Sequence, residues 1–280
     1  MTFAERLAAS VAARGPTCVG LDPHLPLLPL AVDPQRRAET AAVVRDWSLG
    51  VVEAVAPHVA AIKPQVAFFE ALGAPGVAAL EVAVAAARRA GLVVILDAKR
   101  GDIGSTAEAY AQATLDDDGP LGADAVTLSP WLGPESLGPF LARMPQKGAF
   151  LLVRTSNPGA GAWQGGPEGV AGEVARWIAA QRQPGLGAVV GATVPAEAAA
   201  WRTLLPEAWF LVPGFGAQGG TLADLRALRS GPLLVNSSRG VLFPASGGPR
   251  ERDWVAGVGR RAAAFAAELA ALDSRSPAAS

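Results

Sequence analysis

Eight times along this chain, a short run of apolar, β-favouring residues is followed by a longer stretch with helical periodicity. The candidate strands fall at 17–21, 59–63, 92–97, 124–128, 149–153, 188–191, 209–212 and 233–236. Helical patterns lie near 36–56, 75–90, 104–117, 133–143, 168–182, 195–204, 221–229 and 251–272. Several strand segments are apolar on consecutive residues, as strands covered on both faces are. Regular βα alternation points to a parallel sheet, and eight units are the number that closes a (β/α)8 TIM barrel. An open doubly wound sheet is the alternative for the same pattern. A barrel of this kind takes about 250 residues, and the domain is assigned to 1–273 of the 280 residues. The small, polar segment 274–280 is expected to be a disordered tail.

Composition narrows the function classes. Half of the residues are hydrophobic and the net charge is −1, so a large core is available and no basic excess calls for nucleic acid. No apolar run reaches the roughly 18 residues of a membrane span. Glu5 and Arg6 precede any apolar stretch, unlike a signal peptide. The single Cys18 excludes an internal disulfide framework and fits a reducing compartment. A cytoplasmic protein with neither nucleic-acid nor membrane partners is expected.

Polar residues gather where strands end. Asp22 follows the first strand, Lys63-Pro64-Gln65 the second, and Ser129-Pro130-Trp131 the fourth. Arg154-Thr155-Ser156-Asn157-Pro158-Gly159 follows the fifth, the glycine-rich 213–220 the seventh, and Ser238-Arg239-Gly240 the eighth. That end is the C-terminal face, where barrel active sites sit. Exposed backbone N–H groups in a glycine-rich turn, with a guanidinium nearby, suit a phosphate. Taken singly, Lys63 could snorkel out of the rim, Asp22 and Ser129 could serve turns, and Trp131 could line a site or an interface. His24 and His58 have no partner at metal-ligand spacing and read as structural, and Asp116–Asp118 reads as a solvated helix end.

The third strand end is harder to explain as scaffolding. Asp97-Ala98-Lys99-Arg100-Gly101-Asp102 carries four charges in six residues, in a chain only 18% charged. Alternation in a strand puts Asp97 and Lys99 on one face. A lysine among carboxylates at the end of a buried strand is costly to desolvate, and proton chemistry is a reason to keep it there.

These residues resemble a known family. Residues 97–106, Asp-Ala-Lys-Arg-Gly-Asp-Ile-Gly-Ser-Thr, are similar to the signature of the orotidine 5′-phosphate decarboxylase family. The likeness extends to Gly20-Leu21-Asp22-Pro23, Lys63-Pro64-Gln65, 213–220 and Ser238-Arg239-Gly240, and so spans nearly the whole chain. Segments 62–69 and 154–159 resemble the longer-chain bacterial subgroup, although 159–166 is longer and richer in glycine than a minimal member needs.

The resemblance implies conversion of orotidine 5′-phosphate to UMP and carbon dioxide in pyrimidine biosynthesis. It implies a homodimer that uses neither metal nor organic cofactor. It further implies a catalytic array of Lys63, Asp97, Lys99 and Asp102, with Lys99 stabilising and protonating a carbanion at C6. Asp102 and Thr106 are expected to cross the dimer interface. Asp22 and Lys63 are expected on ribose hydroxyls, Ser129 on the pyrimidine, and Gln218 and Arg239 on phosphate. Segments 154–166 and 213–220 are candidates for closing loops. Two other activities are weighed. A magnesium-dependent sugar-phosphate enzyme on a related barrel would need further carboxylates. A non-catalytic phosphoribosyl sensor would not need Lys99 between two aspartates.

Overall fold

The structure, a computed structural model, describes residues 1–192, 195–216, 219–243 and 253–272. Its strands are β1 (Thr17–Leu21), β2 (Ala61–Pro64), β3 (Val93–Arg100), β4 (Ala125–Leu128), β5 (Gly148–Arg154), β6 (Leu186–Val190), β7 (Phe210–Val212) and β8 (Leu233–Ser237). Every neighbouring pair is parallel, and β8 returns to β1, so the sheet closes into a barrel in strand order. The open-sheet alternative is excluded. No helix among the described residues is long and apolar enough to cross a membrane. The tail 274–280 lies outside the described residues.

Strand alternation divides the apolar residues into two cores. One face of each strand packs outward against the helices, where Phe210 of β7 joins Trp47, Phe69, Phe140 and Trp201 from the helices in one core. The other face fills the barrel with Cys18, Ala61, Val93, Ile95, Ala125, Phe150, Val189, Leu211 and Leu234. Burial pushes the Cys18 thiol up to about 12, which leaves it an inert filler.

The lower end of the barrel is closed by a helix, Phe3–Arg14, that the strand–helix pattern did not include. Its signal is short. Thr2 and Glu5 form a reciprocal capping box, and Gly15 ends the helix at φ +77°. Phe3 and Leu7 plug the interior, with the Phe3 ring edge-on to Phe150 at 6.2 Å. A Cβ at Gly148 would lie 2.3 Å from the Phe3 ring, so the plug needs glycine at the start of β5.

Two other expectations change. The helix expected over 133–143 is a 3-10 turn, Pro134–Leu137, followed by one α-turn, Gly138–Leu141. Prolines 134 and 139 and Gly138 interrupt the continuous ladder a long helix needs. The aspartate run is not simply solvated. Asp116 pairs with Arg143 at 2.6 Å, and Asp117 pairs with Lys147 at 2.9 Å and with Arg88 at 2.8 Å.

Arg202 ties the last helices to the barrel floor. It is buried and donates to the carbonyls of Leu205, Ala208, Leu228 and Pro232 at 2.9–3.1 Å, with its guanidinium 3.7 Å from the Phe210 ring centre. Burial brings its pKa down to about 10. Arg202→Met keeps the length and removes four hydrogen bonds, although Pro232 O keeps the N–H of Phe210 at 3.1 Å. We expect a loss of about 3 kcal/mol, a Tm drop of roughly 6–12 °C, measured by thermal unfolding; an unchanged Tm would show that water satisfies those carbonyls equally well.

Candidate active site

Continuing the inward alternation to the upper end of the strands brings Lys63, Asp97 and Thr127 from β2, β3 and β4 to one side. Leu152, Val189 and Leu211 come from β5, β6 and β7 on the other. They line one cavity of about 610 Å³, within the range of small-molecule sites. Its walls therefore differ: the β8–β4 half is polar and the β5–β7 half is apolar.

Asp97 is the centre of the polar half. Its Oδ2 accepts from Lys63 Nζ at 2.5 Å and from Gln65 Nε2 at 3.0 Å. Its Oδ1 accepts from Lys99 Nζ and from Thr127 Oγ1, the latter at 3.1 Å. Burial opposes the charge on Asp97, yet the Lys63 and Lys99 ammoniums and their hydrogen bonds hold its carboxyl well below the usual carboxylate range. Burial likewise opposes the Lys63 charge, but Asp97 and Asp22 raise its pKa above that of an ordinary lysine. Lys63 is sealed in, whereas the Lys99 side chain is 46% exposed and opens onto the cavity.

Asp97 and Lys99 share the cavity face as strand alternation requires, but the backbone between them is not a regular strand. Between Leu96 and Arg100 the register against β4 shifts, and Lys99 sits at φ +46°. Such a conformation is uncommon for a residue with a side chain. The Lys99 N–H donates to Thr127 Oγ1 at 3.0 Å.

The mouth of the cavity carries Asp22, His24, Ser238 and Arg239. Any Cβ at Gly20 would lie 1.9 Å from Ser238 Oγ, so glycine lets β1 and β8 bring these groups together. Asp22 Oδ1 and Asn236 Oδ1 are buried without a hydrogen-bond partner among the described residues. Arg239 is exposed at the end of β8. His24 is not only structural: it borders the cavity, with its ring 4.6 Å from Phe68.

Five of the expected site residues thus meet at one cavity: Asp22, Lys63, Asp97, Lys99 and Arg239. Asp102 and Thr106 are not among its lining; Asp102 Oδ1 accepts the N–H of Ile103 at 2.8 Å, and Thr106 is exposed. Ser129 does not line the cavity either, and its N–H is held by Arg100 O at 2.8 Å. Ser156, after β5, does line it, beside Thr155, Asn157 and Gln164. Gln218 lies outside the described residues. Gln65, Thr127 and Asn236 were not singled out from sequence. Gln65 stands in the quoted Lys63-Pro64-Gln65 motif and Asn236 ends the candidate strand 233–236; Thr127, inside an apolar run, gives no signal beyond its inward parity.

A closed eight-stranded parallel barrel with a charged pocket at its C-terminal mouth is the architecture of a barrel enzyme. The model of the orotidine 5′-phosphate decarboxylase / HUMPS family matches residues 16–249. An orotidine 5′-phosphate decarboxylase of a Nocardioides species is 44% identical over 262 residues, covering 86% of this chain and 91% of the relative. That of Rhodopirellula baltica is 42% identical over 268 residues, covering 87% and 89%. The solved OMP decarboxylase of Leishmania donovani superposes with a TM-score of 0.78 at 35% identity, covering 97% of this chain and 99% of that one. The chain belongs to the orotidine 5′-phosphate decarboxylase / HUMPS family, and its curated relatives place it with the carboxy-lyases.

The ionised Asp97 carries a stability signature. A carboxyl depressed in the folded state contributes stability above its ordinary value, here 3.8, and loses it as pH falls towards the folded-state value. Asp97→Asn is therefore expected to be less stable than the native chain at about pH 6, with the gap beginning to narrow by about pH 3, where Asp97 of the unfolded chain takes up a proton that the folded carboxylate still refuses. Urea unfolding at both pH values measures it. A gap that stays constant would mean that Asp97 does not carry the linked charge.

Proposed function

We propose that this carboxy-lyase converts orotidine 5′-phosphate to UMP and carbon dioxide through a C6 carbanion that Lys99 stabilises and then protonates. The carrying observation is the Lys63–Asp97–Lys99 clasp facing an apolar wall in one cavity. In the reaction the C6–carboxylate bond breaks and its electron pair stays on C6. An ammonium beside that carbon attracts the developing charge; at about 4 Å and an effective dielectric near 20 the attraction is about 4 kcal/mol. Lys99 Nζ then gives its proton to C6 and is reprotonated from solvent. The exposed side chain of Lys99 suits both steps, whereas Lys63 is sealed beneath. The apolar Leu152–Val189–Leu211 wall suits departing neutral carbon dioxide.

The remaining contacts follow the chemistry of the substrate. Arg239 offers a guanidinium fork to the phosphate, joined by Gln218. Asp22 and Asn236 present buried acceptors to ribose hydroxyls, with Lys63 nearby. Ser156 takes the pyrimidine-facing place expected of Ser129, because it lines the cavity from the loop after β5, whereas Ser129 does not line it and Ser238 stands at the mouth beside Arg239. Asp102 and Thr106 complete the site of a second copy. Each lies off its own cavity, near a rim that exposes Ile103, Trp131, Leu132 and Trp163. The Trp131 and Trp163 rings meet edge-on at 6.2 Å, which joins the loops after β4 and β5 into one apolar surface.

Three outcomes test the reading. Loss of orotidine 5′-phosphate absorbance should proceed at the same rate with EDTA; a requirement for added magnesium would favour the sugar-phosphate branch of the family. Lys99→Ala should abolish turnover while binding UMP nearly as tightly as the native enzyme, and full turnover by it would sink the mechanism. Mixed Asp102→Ala and Lys99→Ala subunits, allowed to exchange, should regain about a quarter of native activity through hybrid dimers holding one intact site. No recovery after demonstrated exchange would mean that each subunit is self-contained.

A further inference from the structure

We infer that Thr127 is a positioning residue for the decarboxylation: its hydroxyl sets both the backbone turn that carries Lys99 and the side chain of Asp97. This rests on the decarboxylase reading of the site. A hydroxyl has one proton to donate, and Thr127 gives it to Asp97 Oδ1 at 3.1 Å. The same oxygen accepts the Lys99 N–H at 3.0 Å. One atom on β4 thus holds two neighbours on β3.

The need for this tether comes from the register. Leu96 pairs with Val126 and Arg100 with Leu128, so four steps along β3 meet two along β4. The surplus backbone cannot complete the regular ladder. Lys99 takes φ +46° there, a conformation that costs about 1–3 kcal/mol and persists where surroundings hold it. Thr127 Oγ1 supplies the acceptor that the shifted ladder does not. Thr127 is itself 1% exposed and flanked by the ladder pairings of β4 with β5, so it is a fixed reference point. Gln65 and Lys63 hold only the other carboxylate oxygen of Asp97. Without Thr127, Oδ1 keeps only Lys99, and neither that oxygen nor the Lys99 N–H is tied to β4.

Thr127→Val keeps the β-branched shape and removes both hydrogen bonds, whereas Thr127→Ser keeps the hydroxyl. The proposal expects kcat of Thr127→Val to fall by at least about tenfold, as loss of alignment at a reacting centre does. UMP, which lacks the departing carboxylate, should bind within about threefold of its native affinity, as expected when ground-state binding is untouched. Thr127→Ser should recover most of the native kcat. An unchanged kcat in Thr127→Val would overturn the proposal. So would a loss of UMP affinity equal to the loss in kcat, which would mark a substrate contact or general damage. A serine variant as slow as the valine one would overturn it too, because the hydroxyl would then not be the group that matters. Failure of the native enzyme to turn over orotidine 5′-phosphate would instead refute the decarboxylase reading.

Discussion

One carboxylate holds the upper barrel together. Asp97 receives Lys63 and Gln65 from β2 and the residue after it, Thr127 from β4 and Lys99 from its own strand, so four donors converge on two oxygens. Without that charge, Lys63 would be a buried ammonium with little compensation, a situation that typically costs about 3–5 kcal/mol. The arrangement is tolerable because every charged-group contact is also a hydrogen bond and the layer beneath is small and apolar: Cys18, Ala61, Val93, Ile95 and Ala125. The barrel interior can then support a charged lid over a dry core.

That charged lid covers only half of the opening. The strands from β8 through β4 end in groups that donate or accept hydrogen bonds, and β5 to β7 end in Leu152, Val189 and Leu211. An anionic, planar ligand entering such a pocket meets fixed dipoles on one side and a surface on the other that cannot solvate charge. Stabilisation of this kind is pre-organised: the protein has already met the cost of orienting the groups during folding. Lys99 is the part of the clasp left open to the cavity, and the sealed Lys63–Asp97 pair fixes the field around it.

Much of this could be read from residues alone, and the reasons are local. Strand number followed from the alternation of apolar runs with helical stretches, and the placing of Asp97 and Lys99 on one face followed from period-two geometry. What escaped was set by neighbours distant in sequence. The bulge at Lys99 depends on the partner strand, so nothing in residues 97–102 announces it. Ser129 and Ser156 both come just after strands and precede a proline or Asn-Pro, but Ser129 follows β4 directly while Ser156 stands two residues beyond β5, and Ser156 is the one of the two that lines the cavity. The plug helix Phe3–Arg14 was missed because it precedes the first βα unit, although its capping box stands in the first five residues.

The bulge also explains why one charged cluster serves two directions. A regular strand through Arg100 would carry its alternate side chains upward along the cavity wall. The shifted register instead turns the chain at Lys99, delivering that side chain to Asp97 and sending residues 100–102 away from the cavity. Arg100 accordingly pairs with Glu70 and lies 5.2 Å from the Tyr110 ring centre, on the outer side. Gly101 then passes so close to the exit of β4 that a Cβ would lie 3.0 Å from Ser129 O. This crossing leads Asp102 onto the rim and the helix Gly104–Leu115 outward with Thr106 on its first turn. The same irregularity that aims Lys99 at its own cavity therefore removes Asp102 from it, which is the geometry required if the second aspartate is to act on a neighbouring subunit.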